Sequence, residues 1–303
     1  MTPRTLLHLA LLLALPPLLL GVVNRTKAVL AGRRGPPVLQ LYFDLAKLLR
    51  KGAVYSRTTT WVFRAGPVVG LAAVAAAGLL LGMGGAPAAI SFTGDFVLFA
   101  YLLGLGRFFT ALAALDTGSA FEGMGAAREV TFASLAEPAL FLCLIVLARA
   151  TGTGTLAGML GPGLVAAWGQ TAPALLLAAM GVFVVALAEN ARIPVDDPNT
   201  HLELTMIHEV MVLDHGGPDL ALIEYGAAVK LFLFAAIASR ILLAPAGEGA
   251  LAAEAAFFGG LFLFALGVGV VESSMARLRM IRVPQLLVGA SVLSAFALVL
   301  LLR

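Results

Sequence analysis

From Glu189 to Glu224 the chain reads ENARIPVDDPNTHLELTMIHEVMVLDHGGPDLALIE. Eight of the seventeen acidic residues and three of the four histidines fall in these thirty-six positions. Carboxylates and imidazoles at this density can either ligate a metal or pass protons. A metal site would need a third convergent ligand beside His201 and His208, which stand seven residues apart with Glu209 adjacent. No His-Glu-x-x-His is present, so no metal site is expected. Proton handling fits better. Desolvation raises a buried carboxylate's proton affinity and a neighbouring cation lowers it, so a row of such groups can relay protons.

A second polar cluster, DTGSAFEGMGAAREVTFASLAEP, runs from Asp116 through Glu137. Arg107, Glu137, Glu189, Glu224 and Lys230 fall inside or at the ends of apolar runs. Each such group costs ~2.5–3.5 kcal/mol near the centre of a membrane helix, so it normally faces a partner or a hydrated cavity. Structural roles compete with this reading. Arg107 can form an ion pair with Glu137, and cations near span ends can snorkel. Thr200-His-Leu-Glu203 has the spacing of a capping box, and Asp196 and Asp197 can satisfy backbone N–H groups in a turn.

The elements that must position these groups follow from composition. Of 303 residues 60% are hydrophobic and 12% charged, about half the charged share of a soluble domain. Such a chain cannot cover itself with polar surface, and each span needs ~20 apolar residues. Eight runs qualify: Leu6–Val23, Ala65–Gly84, Phe92–Leu115, Thr131–Ala150, Ala172–Ala188, Ile223–Leu243, Ala252–Val271 and Val283–Leu302. The expected fold is therefore all-α, a single polytopic membrane domain over residues 1–303 with loops at 24–64, 116–130, 189–222 and 272–282. The first run is read as a retained helix and not a cleaved signal, because Asn24-Arg25-Thr26-Lys27 follows it like a stop-transfer flank.

Lys and Arg set the orientation. Arg25, Lys27, Arg33, Arg34, Lys47, Arg50, Lys51, Arg57 and Arg64 lie between the first two spans. Arg128, Arg192, Arg277, Arg279 and Arg282 lie in the loops that share that side. Opposite them stand Arg4, Arg149, Arg240 and Arg303. Fourteen against four places the long first loop in the cytoplasm and both termini outside. The net charge of +3 thus belongs to membrane topology; no basic run interleaved with aromatics suggests nucleic acid. The single cysteine, Cys143, excludes a disulfide framework and a thiolate cluster site.

Two features look architectural. GRRGPP followed by LQLYFDLAKLLRK reads as a turn and then an amphipathic helix near residues 38–51, lying at the interface or docking a soluble partner. The glycine-rich loop GSAFEGMGAA lacks the Gly-Lys-Ser/Thr ending of a phosphate loop, and its glycines suggest tight packing against a neighbouring subunit.

ENARIPVDDPNTHLELTMIHE resembles the Glu-Thr-Asn-Arg-x-Pro-Phe-Asp…Glu-Leu loop of the quinone-site membrane subunit (subunit 1) of respiratory complex I. GRRGPP, RFFTALAALDTGSA, AREVTFASLAEP and the 193–228 run resemble one branch more closely. That branch is the corresponding membrane subunit of group 4 membrane-bound nickel–iron hydrogenases, found in formate hydrogenlyase and hydrogenase-4. By position, Glu137 matches the glutamate of the family's Ser-Tyr-Glu motif. Glu189, Arg192, Pro194 and Asp196 match Glu-x-x-Arg-x-Pro-x-Asp; Glu203 matches the Glu-Leu glutamate, and Glu224-Tyr225 a Glu-Tyr pair.

The resemblance implies a non-catalytic coupling subunit in a prokaryotic inner membrane. It would anchor a hydrogenase-like large and small subunit and a ferredoxin-like subunit, and join them to antiporter-like subunits that move protons or sodium. Iron–sulfur clusters and the nickel–iron centre would reside in partners, with no cofactor or metal bound by this chain. The implied coupling path uses Arg107, Glu137, Glu189, Asp196, Glu203, His208, Glu209, Glu224 and Lys230. The implied docking surface uses Arg33, Arg34, Arg128, Glu129, Arg192, Pro194, Asp197 and His201. Val195, Asp197-Pro198 and His201 depart from the complex I pattern in the part of the loop that shapes the quinone cavity.

Three other functions compete. A quinone-site subunit of complex I would hold quinone against the 189–219 loop. A secondary transporter would carry inverted repeats, and the chain has no visible repeat. A pure scaffold would use its charges only to hold partners.

Overall fold

The computed structural model describes residues 3–84, 86–197, 206–244 and 250–302. His201 and Glu203 lie outside the described residues. Ten helices are present among them: α1 (Pro3–Leu30), α2 (Gln40–Leu48), α3 (Trp61–Leu79), α4 (Asp95–Asp116), α5 (Ala120–Thr151), α6 (Leu156–Met159), α7 (Gly163–Glu189), α8 (Pro218–Leu243), α9 (Ala250–Ser274) and α10 (Val283–Leu301). Eight of them are long and apolar enough to cross a membrane, and no strand occurs among the described residues. The chain is an all-α, multi-pass membrane protein. Exposed side chains such as Leu13, Val68, Leu105, Met180, Phe262 and Val292 form its outer surface, as expected where lipid is the solvent.

α8 is the hub. Phe232, Phe234, Leu231, Leu233 and Ile237 are buried against its neighbours, and it packs on α1, α2, α3, α7 and α9. α3 and α4 run antiparallel in close contact, because Gly66 leaves room for Ala113 and a Cβ on Gly106 would stand only 3.5 Å from the Gly70 carbonyl oxygen. The end of α4 caps the start of α3. Asp116 accepts from the backbone N–H groups of Thr60 at 2.6 Å and Phe63 at 3.3 Å, satisfying donors that a helix start leaves orphaned.

Proline chemistry places α2. Pro17 lacks the N–H that would bond the Leu13 carbonyl, and that carbonyl accepts from Tyr225 of α8 at 2.8 Å. Tyr42 of α2 donates to the adjacent Ala14 carbonyl, so both tyrosines serve the same interrupted turn of α1. The expected amphipathic helix near 38–51 is observed as α2, with no buried residue.

Several boundaries differ from those expected. Residues 120–130, expected as part of a glycine-rich loop, are the first turns of the 32-residue helix α5. The glycines there are helix-packing positions: a Cβ on Gly125 would overlap Val210 and lie 3.0 Å from the Ile207 carbonyl oxygen. α7 starts at Gly163 and not near Ala172, because its amino-terminal part continues through a kink at Thr171 (φ −129°, ψ 23°) just ahead of Pro173. α1 extends past Val23 to Leu30, carrying Arg25 and Lys27 on helix instead of loop.

Candidate functional site

Four helices bring their charges to one point. α4 supplies Arg107, α5 supplies Glu137, α7 ends on Glu189 and α8 supplies Lys230. The Arg107 guanidinium lies 3.2 Å from Glu137 Oε1 and 3.3 Å from Glu189 Oε1. Lys230 Nζ approaches the other Glu189 oxygen at 3.7 Å. Arg107 and Glu189 are buried, their side chains 8% and 4% exposed, while Glu137 is 48% exposed. Small residues make the convergence possible: Gly104 of α4 faces Glu137, whose Oε1 would be 3.7 Å from a Cβ there.

A cavity of about 60 Å³ adjoins this cluster, lined by Arg107, Thr110, Glu129, His208 and Lys230 with Gly66, Gly70 and Gly226 opposite. Its volume has room for a few waters, since one needs ~10–15 Å³ of such space, and its lining has the polar groups that hold them. Glu129 thus lies on a helix facing inward, alongside the coupling residues and not on a loop surface. His208 is held neutral at physiological pH: burial, with the Lys230 ammonium acting in the same direction, pushes its pKa down to about 4.

The turn after α7 sends three charges to three different elements. Glu189 faces Arg107 and Lys230. Three residues on, Arg192 meets Glu272 of α9 at 3.3 Å, and Lys27 of α1 meets the same carboxylate at 2.7 Å. Asp196 then clasps the returning chain, accepting from the N–H groups of Ile207 at 3.1 Å and His208 at 3.0 Å. Its other oxygen takes Arg277 at 2.9 Å and the N–H of Asp197 at 2.9 Å. Pro194 follows a cis peptide bond, and its carbonyl accepts from the Leu278 N–H at 2.9 Å.

The remaining sequence-derived positions divide between core and surface. Arg128 donates to the Met206 carbonyl at 2.9 Å and so fixes the start of the 206–217 segment. Arg33 and Arg34 are exposed beyond the end of α1, with the Arg34 carbonyl accepting from Arg25. Glu209 opens a 3-10 turn, Glu209–Val212. Glu224 sits inside α8, six residues after its Pro218 start, and does not join the Arg107 cluster.

The Arg107–Glu137 pair is the one ion pair of this region that the sequence suggests; Lys230–Glu189 and the Lys27–Glu272–Arg192 group are not anticipated. Spacing in sequence gives no sign of either, since both join helices far apart in the chain. Further out, His215 stacks on Phe63 with ring centroids 3.9 Å apart, its Nδ1 4.0 Å from Asp219. Glu122 accepts from the Asp214 N–H at 3.2 Å. Both tie the 206–217 segment to the helix ends. Among the described residues no group of three or more His, Cys, Asp or Glu could hold a metal ion.

The NADH dehydrogenase family profile matches residues 4–303. The chain is 34% identical over 236 residues to hydrogenase-4 component C of Escherichia coli, covering 77% of this chain and 72% of that protein. It is 31% identical over 292 residues to formate hydrogenlyase subunit 4 of the same organism, covering 93% and 92%. Among solved structures, a chain of the membrane-bound sulfane sulfur reductase, an archaeal respiratory membrane complex, superposes with a TM-score of 0.80. That match has 22% identity and covers 98% of both chains.

Proposed function

This chain belongs to the NADH dehydrogenase family, and from that premise we propose that it is the membrane anchor and energy-coupling subunit of a complex-I-like membrane-bound nickel–iron hydrogenase. Its relatives in hydrogenase-4 and formate hydrogenlyase support that branch. The observation that carries the coupling role is Glu189, shared between Arg107 and Lys230 beside a cavity lined by Glu129 and His208. A carboxylate held between two cations gives up one ion pair when either cation moves or a proton arrives, so a shift of the 189–197 turn alters proton affinity at the cluster. A hydrogenase-like large and small subunit with a ferredoxin-like protein would dock on the side of the 206–217 segment, Arg33 and Arg34. The electron carriers, iron–sulfur clusters and a nickel–iron centre, belong to those partners.

Glu137 supports antiporter-like neighbours in the membrane. It is half-exposed in the middle of α5, on the same outer face as Tyr101, Leu105 and Phe108. A carboxylate there cannot face lipid at low cost, so a partner subunit covers it and continues the ion path. The membrane is the prokaryotic inner membrane, with both termini outside, in line with the Lys and Arg asymmetry. The size of the cavity favours water over a quinone ring, which would need ~300 Å³ or more.

The test uses inverted membrane vesicles carrying the whole complex. Glu189→Gln and Glu137→Gln are expected to abolish coupled proton or sodium movement while hydrogen evolution with a soluble electron donor persists. Full ion movement in both variants would overturn the proposal, and loss of assembly alone would favour a scaffold.

A further inference from the structure

At the end of the bundle remote from the charged turn, Arg240 stands in the last turn of α8. One of its N–H groups donates to the Gly84 carbonyl, and its guanidinium lies over the Phe257 ring, 5.1 Å from the centroid. Its Nε is buried without a hydrogen-bond partner. Among the described residues no carboxylate lies within ion-pair distance of it. It lines a cavity of about 140 Å³ with Leu160, Pro162 and Phe257. A cation in this position calls for an anion.

That cavity shares the lining residues Ser239 and Leu243 with a neighbouring groove of about 400 Å³ between α7, α8 and α9. The groove is almost wholly apolar. Met180, Leu242 and Leu263 form exposed walls, and Gly260 and Ala238 keep its floor low. Its hydroxyl, Ser239, is spent on the Phe257 carbonyl at 2.8 Å. Trp168 fixes the depth of the cationic end: its indole N–H donates to the Ile241 carbonyl at 2.7 Å, and tryptophan marks the headgroup level of a bilayer.

We infer that Arg240 and this groove form a binding site for an anionic phospholipid, with the phosphate on the guanidinium and an acyl chain between α7 and α9. The charge matches, the depth matches, and the groove's size falls among ligand pockets of ~300–1,000 Å³. Basic pockets between membrane helices on the cytoplasmic side hold anionic headgroups, and the same pairing of cation and phosphate operates here at the opposite face.

The test is lipid mass spectrometry on the whole complex purified in mild detergent, from wild type, Arg240→Gln and Met180→Trp. Phosphatidylglycerol or cardiolipin retained by wild type is expected to fall about fivefold in Arg240→Gln, the weight of one basic residue toward an anionic lipid. Met180→Trp, which fills the groove and spares the cation, should lose the same lipid while assembling normally. Wild-type retention of anionic lipid in Met180→Trp, or equal loss of anionic and zwitterionic lipid in Arg240→Gln, would overturn the site. Delipidated wild-type complex should regain thermal stability with phosphatidylglycerol and not with inorganic phosphate; equal rescue by phosphate would also overturn it.

Discussion

Arg107 holds Glu189 at 3.3 Å with both side chains buried, so the last residue of α7 is tied to the middle of α4. The pair joins the end of one span to the centre of another. Removing one partner of a buried pair typically destabilises by ~3–5 kcal/mol, because the other charge is left uncompensated. Glu189→Gln is therefore expected to lower the melting temperature of the detergent-purified chain markedly. Glu137→Gln, half-exposed on the bare chain, should cost no more than ~1 kcal/mol in the same measurement.

A double-mutant cycle on Lys230→Met and Glu189→Gln separates pairing from burial. Lys230 sits 3.7 Å from the second Glu189 oxygen. Contacting charges usually couple by ~0.5–3 kcal/mol. The double variant is expected to be more stable than the sum of the two single losses predicts; simple additivity would show that the lysine acts alone.

His208 sets a pH dependence whose sign follows from its lowered pKa of about 4. Between that value and its ordinary 6.5, the unfolded chain binds the proton and the folded chain does not. The His208 contribution to stability is thus flat above about pH 7 and is lost as pH drops through 6.5 toward 4, by up to ~3 kcal/mol. Lys230 on α8 and Glu129 on α5 share its cavity, and the Lys230 ammonium lowers the imidazole's proton affinity, so the slope should shrink in Lys230→Met. Hydrogen exchange of 206–217 as a function of pH measures it, and His208→Gln should flatten the curve.

Asp196 is expected to matter through backbone geometry. It holds the N–H groups of Ile207 and His208 and the Arg277 side chain. Asp196→Ala should release the 206–217 segment at a cost of ~3 kcal/mol, since bonds to a charged acceptor contribute ~1.5–3 kcal/mol each and do not add. Exchange should speed up at 206–208 while the spans keep their protection.

Gly125→Ala tests the α5 contact. The new methyl would meet Val210 and the Ile207 carbonyl oxygen, and overpacking of this kind destabilises by ~1–3 kcal/mol. Adding Val210→Ala should recover most of the loss in melting temperature; no recovery would place the strain on the backbone.

The eight spans and the interfacial helix are legible in the sequence, because apolar length and amphipathic spacing are local properties. So is the Arg107–Glu137 pair: a cation and a carboxylate inside neighbouring spans have few other partners within reach. The start of α5 is not, because the glycines and alanines of 116–130 suit a turn and a close-packed helix equally well. Only the contact of Gly125 with Val210 decides between them.

The acidic stretch from Glu189 to Glu224 announces itself by density, and the sequence alone determines that it concentrates charge at the membrane's edge. Tertiary structure decides how that charge is used. It sends Glu189, Arg192 and Asp196, neighbours on one turn, to α4 and α8, to α9, and to Arg277 with the returning backbone. It also keeps Glu224 out of the Arg107 cluster, although the resemblance implies one path through both. Ion pairs between helices scores of residues apart depend on which faces meet, and that is fixed by packing across the whole bundle, which no local pattern encodes.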